Sequence, residues 1–351
     1  MTSVADIWNS LKLLGFTGDV NTMYELYTWL RRVRLTYTPP TLKKSGKDYM
    51  YKLITFLEPV LDTQGKFGKV FHTFRESTST AHLSECYLKV SPNHPGSLLL
   101  EGILQTIACT ILARRGFTHA VPRVLDIVNH PEYGITLVLE RVQGSVLFAK
   151  YLEKRLKWGY QSYTNDCLIL EVFAQVATYT AILEHDIGIN HRDLKSDNVL
   201  MVAPDTVVHQ AVSVNGSTWT VKGRQQVILI DFGFSCIGRD AGQTIVSAGD
   251  YLPQTDFCPK QGRDLFLFFA SLWNIPLFRI SVSPGIRDLF VKWLRDASDV
   301  GWADWLIRAA PADLNHIYLL CSAGHFRSDP CEPISVLRDI AGLYPEIVSM
   351  G

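Results

Sequence analysis

The chain has 351 residues, more than one compact domain usually holds, so a body of two parts with a large core is the expectation. Its 34 basic and 34 acidic residues cancel, which gives no support to a polyanion-coating or membrane-surface protein, and nucleic acid is not an expected partner. The seven cysteines, Cys86, Cys109, Cys167, Cys236, Cys258, Cys321 and Cys331, are odd in number and never form a C-x-x-C pair, so they read as reduced thiols of an intracellular protein, cytoplasmic or nuclear.

The N-terminus carries acidic Asp6 and lacks a basic region followed by an apolar one, so it does not read as a secretory signal. Val4, Ile7, Trp8, Leu11 and Leu14 share one helical face, and Met23, Leu26, Trp29, Leu30 and Val33 repeat the pattern behind a capping box of Thr22 and Glu25. Pro39-Pro40 stops helix and the polar run from Lys43 to Asp48 reads as a solvated linker, so residues 1–54 are expected to be a helical extension with its linker. From Phe56 the pattern changes to short strands, Phe56 to Leu61, Lys69 to Arg75 and Cys86 to Val90, broken by Gly65 and Gly68 as in an antiparallel meander. A helix over 97–113 and strands around 124–128 and 135–139 follow.

After Val146 the chain reads as mainly helical, with a strand pair around Val199 to Val202 and Val227 to Ile230. Between them Asn215-Gly216 is flanked by alternating residues and predicts a hairpin with a type I′ turn, a better account of Asn215-Gly216-Ser217 than a glycosylation acceptor. The apolar run from Leu265 to Phe278 is shorter than the roughly 20 residues that span a bilayer, and it holds Asn274 and Pro276; it predicts a buried helix, and no membrane span is expected. Strands first and helices afterwards make the fold class α+β, a small antiparallel lobe joined to a larger helical one.

The chemistry concentrates in His191-Arg192-Asp193-Leu194-Lys195-Ser196-Asp197-Asn198 and, downstream, in Ile230-Asp231-Phe232-Gly233 at the end of an apolar strand. The pair resembles the H-R-D-L-K-x-x-N catalytic loop and the D-F-G magnesium motif of eukaryotic-type serine/threonine protein kinases. The resemblance covers residues 56–300 and implies a bilobal protein-kinase-like fold with an N-lobe over 55–139, a C-lobe over 140–351, a β-hairpin insertion near 204–226 and the N-terminal helical extension. It implies that Asp193 is the catalytic base, that Lys195 neutralises charge on the moving phosphoryl group, and that Asn198 and Asp231 hold Mg2+, with Mn2+ as a substitute. ATP is then the cofactor, and the partner is a protein with a serine or threonine hydroxyl; the serine/threonine assignment rests on Lys195, two after Asp193.

Other positions match the same family. Asp62-Thr63-Gln64-Gly65-Lys66-Phe67-Gly68-Lys69-Val70 resembles the glycine-rich loop, with Thr63 in place of its first glycine and Gly65, Gly68 and Val70 as ATP contacts. Lys89 matches the strand lysine for the α- and β-phosphates and Glu101 its helix partner. Leu139, Glu140 and Val142 match the gatekeeper and hinge, Leu200 an apolar contact to the nucleotide, and Asp264 the aspartate that ties down the catalytic loop. Arg192 is of the kind that pairs with an activation-segment phosphate, with Ser235, Thr244 and Ser247 as candidate acceptors; activity without phosphorylation is the alternative.

Three features depart from the pattern. Tyr87 stands where kinases keep a small alanine, the chain between Asp193 and Asp231 is lengthened by the hairpin in a way that resembles haspin kinases, and no A-P-E motif follows Gly233. The segments Asp231 to Phe234 and Cys258-Pro259-Lys260-Gln261-Gly262-Arg263-Asp264 resemble kinases of large DNA viruses, which implies a viral protein in a host cell. The departures leave two alternatives open, a kinase-fold small-molecule phosphotransferase and a nucleotide-binding pseudokinase scaffold.

Overall fold

The computed structural model describes residues 37–64, 68–77, 82–91, 95–156, 163–203, 207–239, 243–248, 256–295, 314–323 and 326–351, with single positions between 25 and 32 and between 301 and 308. The helix expected over 4–14 lies outside the described residues; of the second, positions 25, 28–30 and 32 are helical, and Trp29 and Leu30 are buried. Described residues within 1–110, 121–143 and 246–250 form one compact unit, and those within 111–120, 144–245 and 251–351 another.

The first unit is built on an eight-stranded antiparallel sheet: β1 (Lys43–Ser45), β2 (Asp48–Tyr51), β3 (Ile54–Phe56), β4 (Val60–Gln64), β5 (Lys69–Ser77), β6 (His82–Val90), β7 (Val124–His130) and β8 (Gly134–Glu140). Their order is β1-β2-β3-β5-β6-β8-β7, with β4 paired to β5 beside a bulge between Leu61 and Thr63. The expected linker at 43–48 is instead the hairpin β1–β2, turning at Gly46 (φ 62°). Its exposed Lys43, Lys44 and Ser45 carry no alternation from which a strand could be read. Just before it, the Leu42 N–H and the Pro40 carbonyl bond to the backbone of Asn129 on β7, so the chain links the two ends of the sheet, which curls around Leu42, Tyr49, Phe56, Leu88, Val128 and Val138. On β6 Cys86, Leu88 and Val90 are buried and Glu85, Tyr87 and Lys89 half-buried, the period of two that puts alternate side chains on opposite faces.

Helix α1 (Pro95–Arg114) begins in this unit. The second unit adds α2 (Phe148–Arg155), α3 (Tyr163–Ile187), α4 (Arg263–Trp273), α5 (Pro276–Ser281), α6 (Pro284–Trp293), α7 (Leu314–Ser322) and α8 (Pro333–Leu343). Every residue of α4 is buried, but the apolar run 265–278 expected as one buried helix is divided, α4 ending at Trp273 and α5 opening at exposed Pro276; Phe173 of α3 packs its ring against those of Phe268, Phe269, Phe278, Phe290 and Trp293. By length and hydropathy α1 and α3 could each cross a membrane, but 83% and 94% of their apolar windows are buried within the fold, as in core helices.

Three small groups of strands complete the second unit. β9 (Val146–Leu147) and β14 (Gln226–Leu229) flank β11 (Val199–Val202), and β10 (Ile189–Asn190) pairs with β15 (Cys236–Arg239), which precedes β16 (Gln243–Ser247), a strand that belongs to this unit only as far as Ile245. β12 (Val208–Val214) and β13 (Ser217–Gly223) are the expected hairpin, turning at Asn215 (φ 47°) and Gly216 (φ 75°), the paired positive φ of a type I′ turn. β13 also pairs with the C-terminal β17 (Val348–Met350), and buried Trp219 donates its indole N–H to Thr178 of α3 at 3.0 Å.

The reduced-thiol expectation is corrected at one pair: Cys236 and Cys258 form a disulfide, while Cys86, Cys109, Cys167, Cys321 and Cys331 are free and buried. The pair is 22 residues apart in sequence and meets because β15 and the start of the 256–263 segment both pack on Gly188. A Cβ there would lie 2.2 Å from the Gly238 carbonyl oxygen, and φ is +69°, so the position takes only glycine.

Candidate active site

The first unit carries the lysine and glutamate. Lys89 lies on the half-buried face of β6, opposite Val70 of β5 and Leu137 of β8 in register. Its ammonium is 2.6 Å from the carboxylate of Glu101, whose side chain is only 3% exposed and so requires a charged partner. Glu101 gets this close because its neighbour has no side chain: a Cβ on Gly102 would stand 2.7 Å from Leu137 and 2.9 Å from Ile127. Gly102 carried a readable signal, a glycine inside an apolar helix, that the kinase motif alone did not use.

The expected nucleotide contacts are less uniform. Gly65 lies outside the described residues. Gly68 is required by β6 rather than by a ligand, since a Cβ there would meet the Val90 carbonyl oxygen at 2.3 Å. Leu139 is half-buried and faces Tyr87 in register; Tyr87 packs edge-on against His72 with ring centroids 5.9 Å apart. Glu140 donates its backbone N–H to the Arg123 carbonyl at 2.9 Å and pairs its carboxylate with the Arg123 guanidinium, also at 2.9 Å. Val142 is half-buried, and between it and Glu140, Arg141 bonds Glu85 of β6.

In the second unit the segment after β10 is built around buried Asp264 at the start of α4. The backbone N–H groups of His191 and Arg192 donate to its two carboxylate oxygens at 2.7 and 2.8 Å, and the Asn190 amide adds a bond at 3.4 Å. Arg192 and Asp231 both have φ +66°, the left-handed region that non-glycine residues enter at a cost and hold only where the surroundings impose it. The loops that carry them are joined: the Ile230 N–H donates to the Asn198 carbonyl at 3.0 Å, and the His191 ring sits 4.7 Å from that of Phe232.

Asp193 lies at the centre of this arrangement. The Lys195 ammonium is 2.9 and 3.0 Å from its two oxygens, and the Asn198 amide donates to Oδ2 at 2.8 Å and to the Asp193 carbonyl at 2.8 Å. Both bonds come from the amide nitrogen of Asn198, which leaves its oxygen as the atom suited to a cation. The half-buried Asp231 supplies a carboxylate, one oxygen of which accepts the Gly233 N–H at 3.3 Å. An amide oxygen and a carboxylate are hard donors that suit magnesium or manganese when water and phosphate complete the shell. Leu200, half-buried on β11, pairs with Leu147 and Ile228.

Two features of the site have no sequence signal. The hydroxyl of Tyr318 on α7 also donates to Asp193 Oδ1. Beneath the loop, buried Asp256 gathers three cations: its carbonyl and carboxylate take Arg192, and its Oδ1 lies 2.8 Å from Lys260 and 2.5 Å from Arg263. Burial pulls Arg192 down to about 10, Asp256 opposing the fall. Arg192 is 2% exposed and already paired with an acidic side chain. Of the expected phosphate acceptors, Ser235 is fully buried with its hydroxyl on the His191 carbonyl, whereas Thr244 is exposed.

No family model matches the chain. Over 157 residues, 44% of the chain, it is 31% identical to a protein named "Probable kinase 098L" from Invertebrate iridescent virus 3. The matched stretch spans 28% of that relative's length.

Proposed function

We propose that the chain is a magnesium-ATP-dependent protein kinase acting on serine or threonine hydroxyls. The observation that carries the reading is the Asp193 carboxylate, held between Lys195 and Asn198 on a loop whose backbone is fixed by Asp264. Phosphoryl transfer demands little covalent chemistry of a protein and much alignment and charge, which is what such a loop provides. Asp193 orients the acceptor hydroxyl and takes its proton, while Lys195 balances charge beside it. Asn198 and Asp231 hold magnesium, which when bound draws negative charge from the phosphate oxygens. Lys89, kept in place by Glu101, takes the α- and β-phosphates of ATP, and Gly65, Gly68, Val70, Leu139, Glu140, Val142 and Leu200 contact the nucleotide. The same reading assigns the two units to the small antiparallel and larger helical lobes of a protein-kinase-like fold, and the viral relative named as a kinase supports phosphotransfer inside a host cell.

The test is transfer from γ-labelled Mg-ATP to casein, histone and a basic protein, with Asp193→Asn and Asp231→Ala beside the parent. Phosphoserine or phosphothreonine is expected from the parent, with turnover lower by roughly 10²- to 10⁴-fold in Asp193→Asn. No label from the parent, while Mg-ATP still raises its melting temperature, would overturn the proposal.

A further inference from the structure

We propose that Tyr318 occupies the acceptor subsite, its hydroxyl holding on Asp193 the place that a substrate hydroxyl takes during turnover. The inference rests on the reading of Asp193 as the base. A carboxylate has about four lone-pair positions, and those of Asp193 are filled: Oδ1 accepts from Lys195 and Tyr318, and Oδ2 from Lys195 and Asn198. An incoming hydroxyl must therefore displace a donor. Lys195 and Asn198 belong to the same short loop as Asp193, and Asn198 is also tied to its main chain. Tyr318 comes from a separate helix 125 residues away, and it is an alcohol-type O–H donor like the acceptor itself. It can leave without rebuilding the loop.

The placement of Tyr318 is built into the fold. Ile317 and Cys321 bury one side of α7, while Leu319 faces solvent. The Lys260 ammonium donates to the carbonyls of Cys321 and Ala323 at 3.0 and 2.8 Å, capping the C-terminal end of the helix. The Lys195 ammonium also lies 3.5 Å from the Tyr318 oxygen, so the phenol has both neighbours that an acceptor hydroxyl would meet. Burial and then the adjacent Asp193 raise the phenol's pKa, which keeps it neutral and donating.

The experiment is acceptor-dependent kinetics of the full chain on casein, for the parent, Tyr318→Phe and Tyr318→Leu. Losing one competing hydrogen bond to a charged group should lower the casein KM about tenfold and raise kcat/KM to match. Tyr318→Leu covers the case in which the phenylalanine variant fails to fold, and either folded variant must show the fall. A kcat/KM that stays put or drops overturns the inference, because the hydroxyl would then be idle or would position Asp193. Phosphate found on Tyr318 of the parent by mass spectrometry also overturns it, making the residue an acceptor rather than its stand-in. Label from the parent with an unmoved KM defeats this inference alone, whereas no label from any variant, with Mg-ATP still bound, defeats the kinase reading and this inference with it.

Discussion

Lys89 and Glu101 meet through side chains, a strand lysine and a helix glutamate brought together by one glycine, whereas Asp193 follows two residues, His191 and Arg192, whose backbone N–H groups are held by a carboxylate 71 positions beyond Asp193. In the first unit the charged pair is an addition to a sheet that would curl around its apolar core without it. In the second, the anchor at Asp264 takes up buried N–H groups that would otherwise lack partners, so structure and site depend on the same atoms. A side-chain pair should therefore be separable by mutation into stability and function, and a backbone-anchored loop should not.

The largest expected effect tests the second half of that contrast. Asp264→Ala strands the N–H groups of His191 and Arg192 at about 1–3 kcal/mol each and releases the loop carrying Asp193. Unfolding free energy and phosphate transfer should fall together, transfer by roughly 10²-fold or more. A variant with parental turnover and lowered stability would show that the loop keeps its shape without the anchor. Lys89→Met comes next. It removes the ammonium 2.6 Å from the buried Glu101 carboxylate, at about 3–5 kcal/mol, and should raise the KM for ATP. Adding Glu101→Gln should recover much of the stability and none of the activity, and denaturant titration of the single and double variants decides the point.

How much of this was readable depended on whether the signal was local. The period of two on β6, the Asn215-Gly216 turn, and the spacing of Asp193, Lys195 and Asn198 all lie within a few residues of sequence, and each corresponds to an element or cluster in the structure. Asp264 was legible through the resemblance of Arg263-Asp264-Leu265 to the kinase helix whose aspartate ties down the catalytic loop; its place at the opening of an apolar helix suggested an N-cap, which is Gly262 instead. The hairpin at 43–51 was missed because its exposed strand is uniformly polar. Tyr318 on Asp193, Arg192 on Asp256 and the Cys236–Cys258 pair are contacts between segments well apart in sequence, and no pattern along the chain marks them. The fate of Arg192 shows the cost: its sequence neighbours suggest a residue awaiting a phosphate, while its spatial neighbours give it Asp256.

The disulfide gives the third effect in size. Bridging 22 residues, it should contribute roughly 3 kcal/mol through the unfolded chain, so a reducing agent should lower the melting temperature of the parent and leave Cys258→Ser unmoved. Equal melting with and without reductant would mean that the two thiols are not joined in solution.

The smallest effect belongs to the first unit and uses pH. His130 is 2% exposed, packs against the rings of Tyr49 and Tyr133 at 4.2 and 4.7 Å, and accepts the Glu132 N–H on Nδ1 at 3.1 Å. Burial lowers its pKa below 6.5, and the nearby Glu132 carboxylate works against that shift. The folded state thus binds the proton less readily than the unfolded one, so its stability is complete above pH 6.5 and is lost as pH falls from 6.5 through the folded value. The opposing Glu132 keeps the loss small, and removing it with Glu132→Gln should steepen the decline. Urea unfolding on both sides of pH 6.5 tests the sign: the parent should weaken toward acid and His130→Gln should weaken less, and identical slopes would assign the acid sensitivity to other groups.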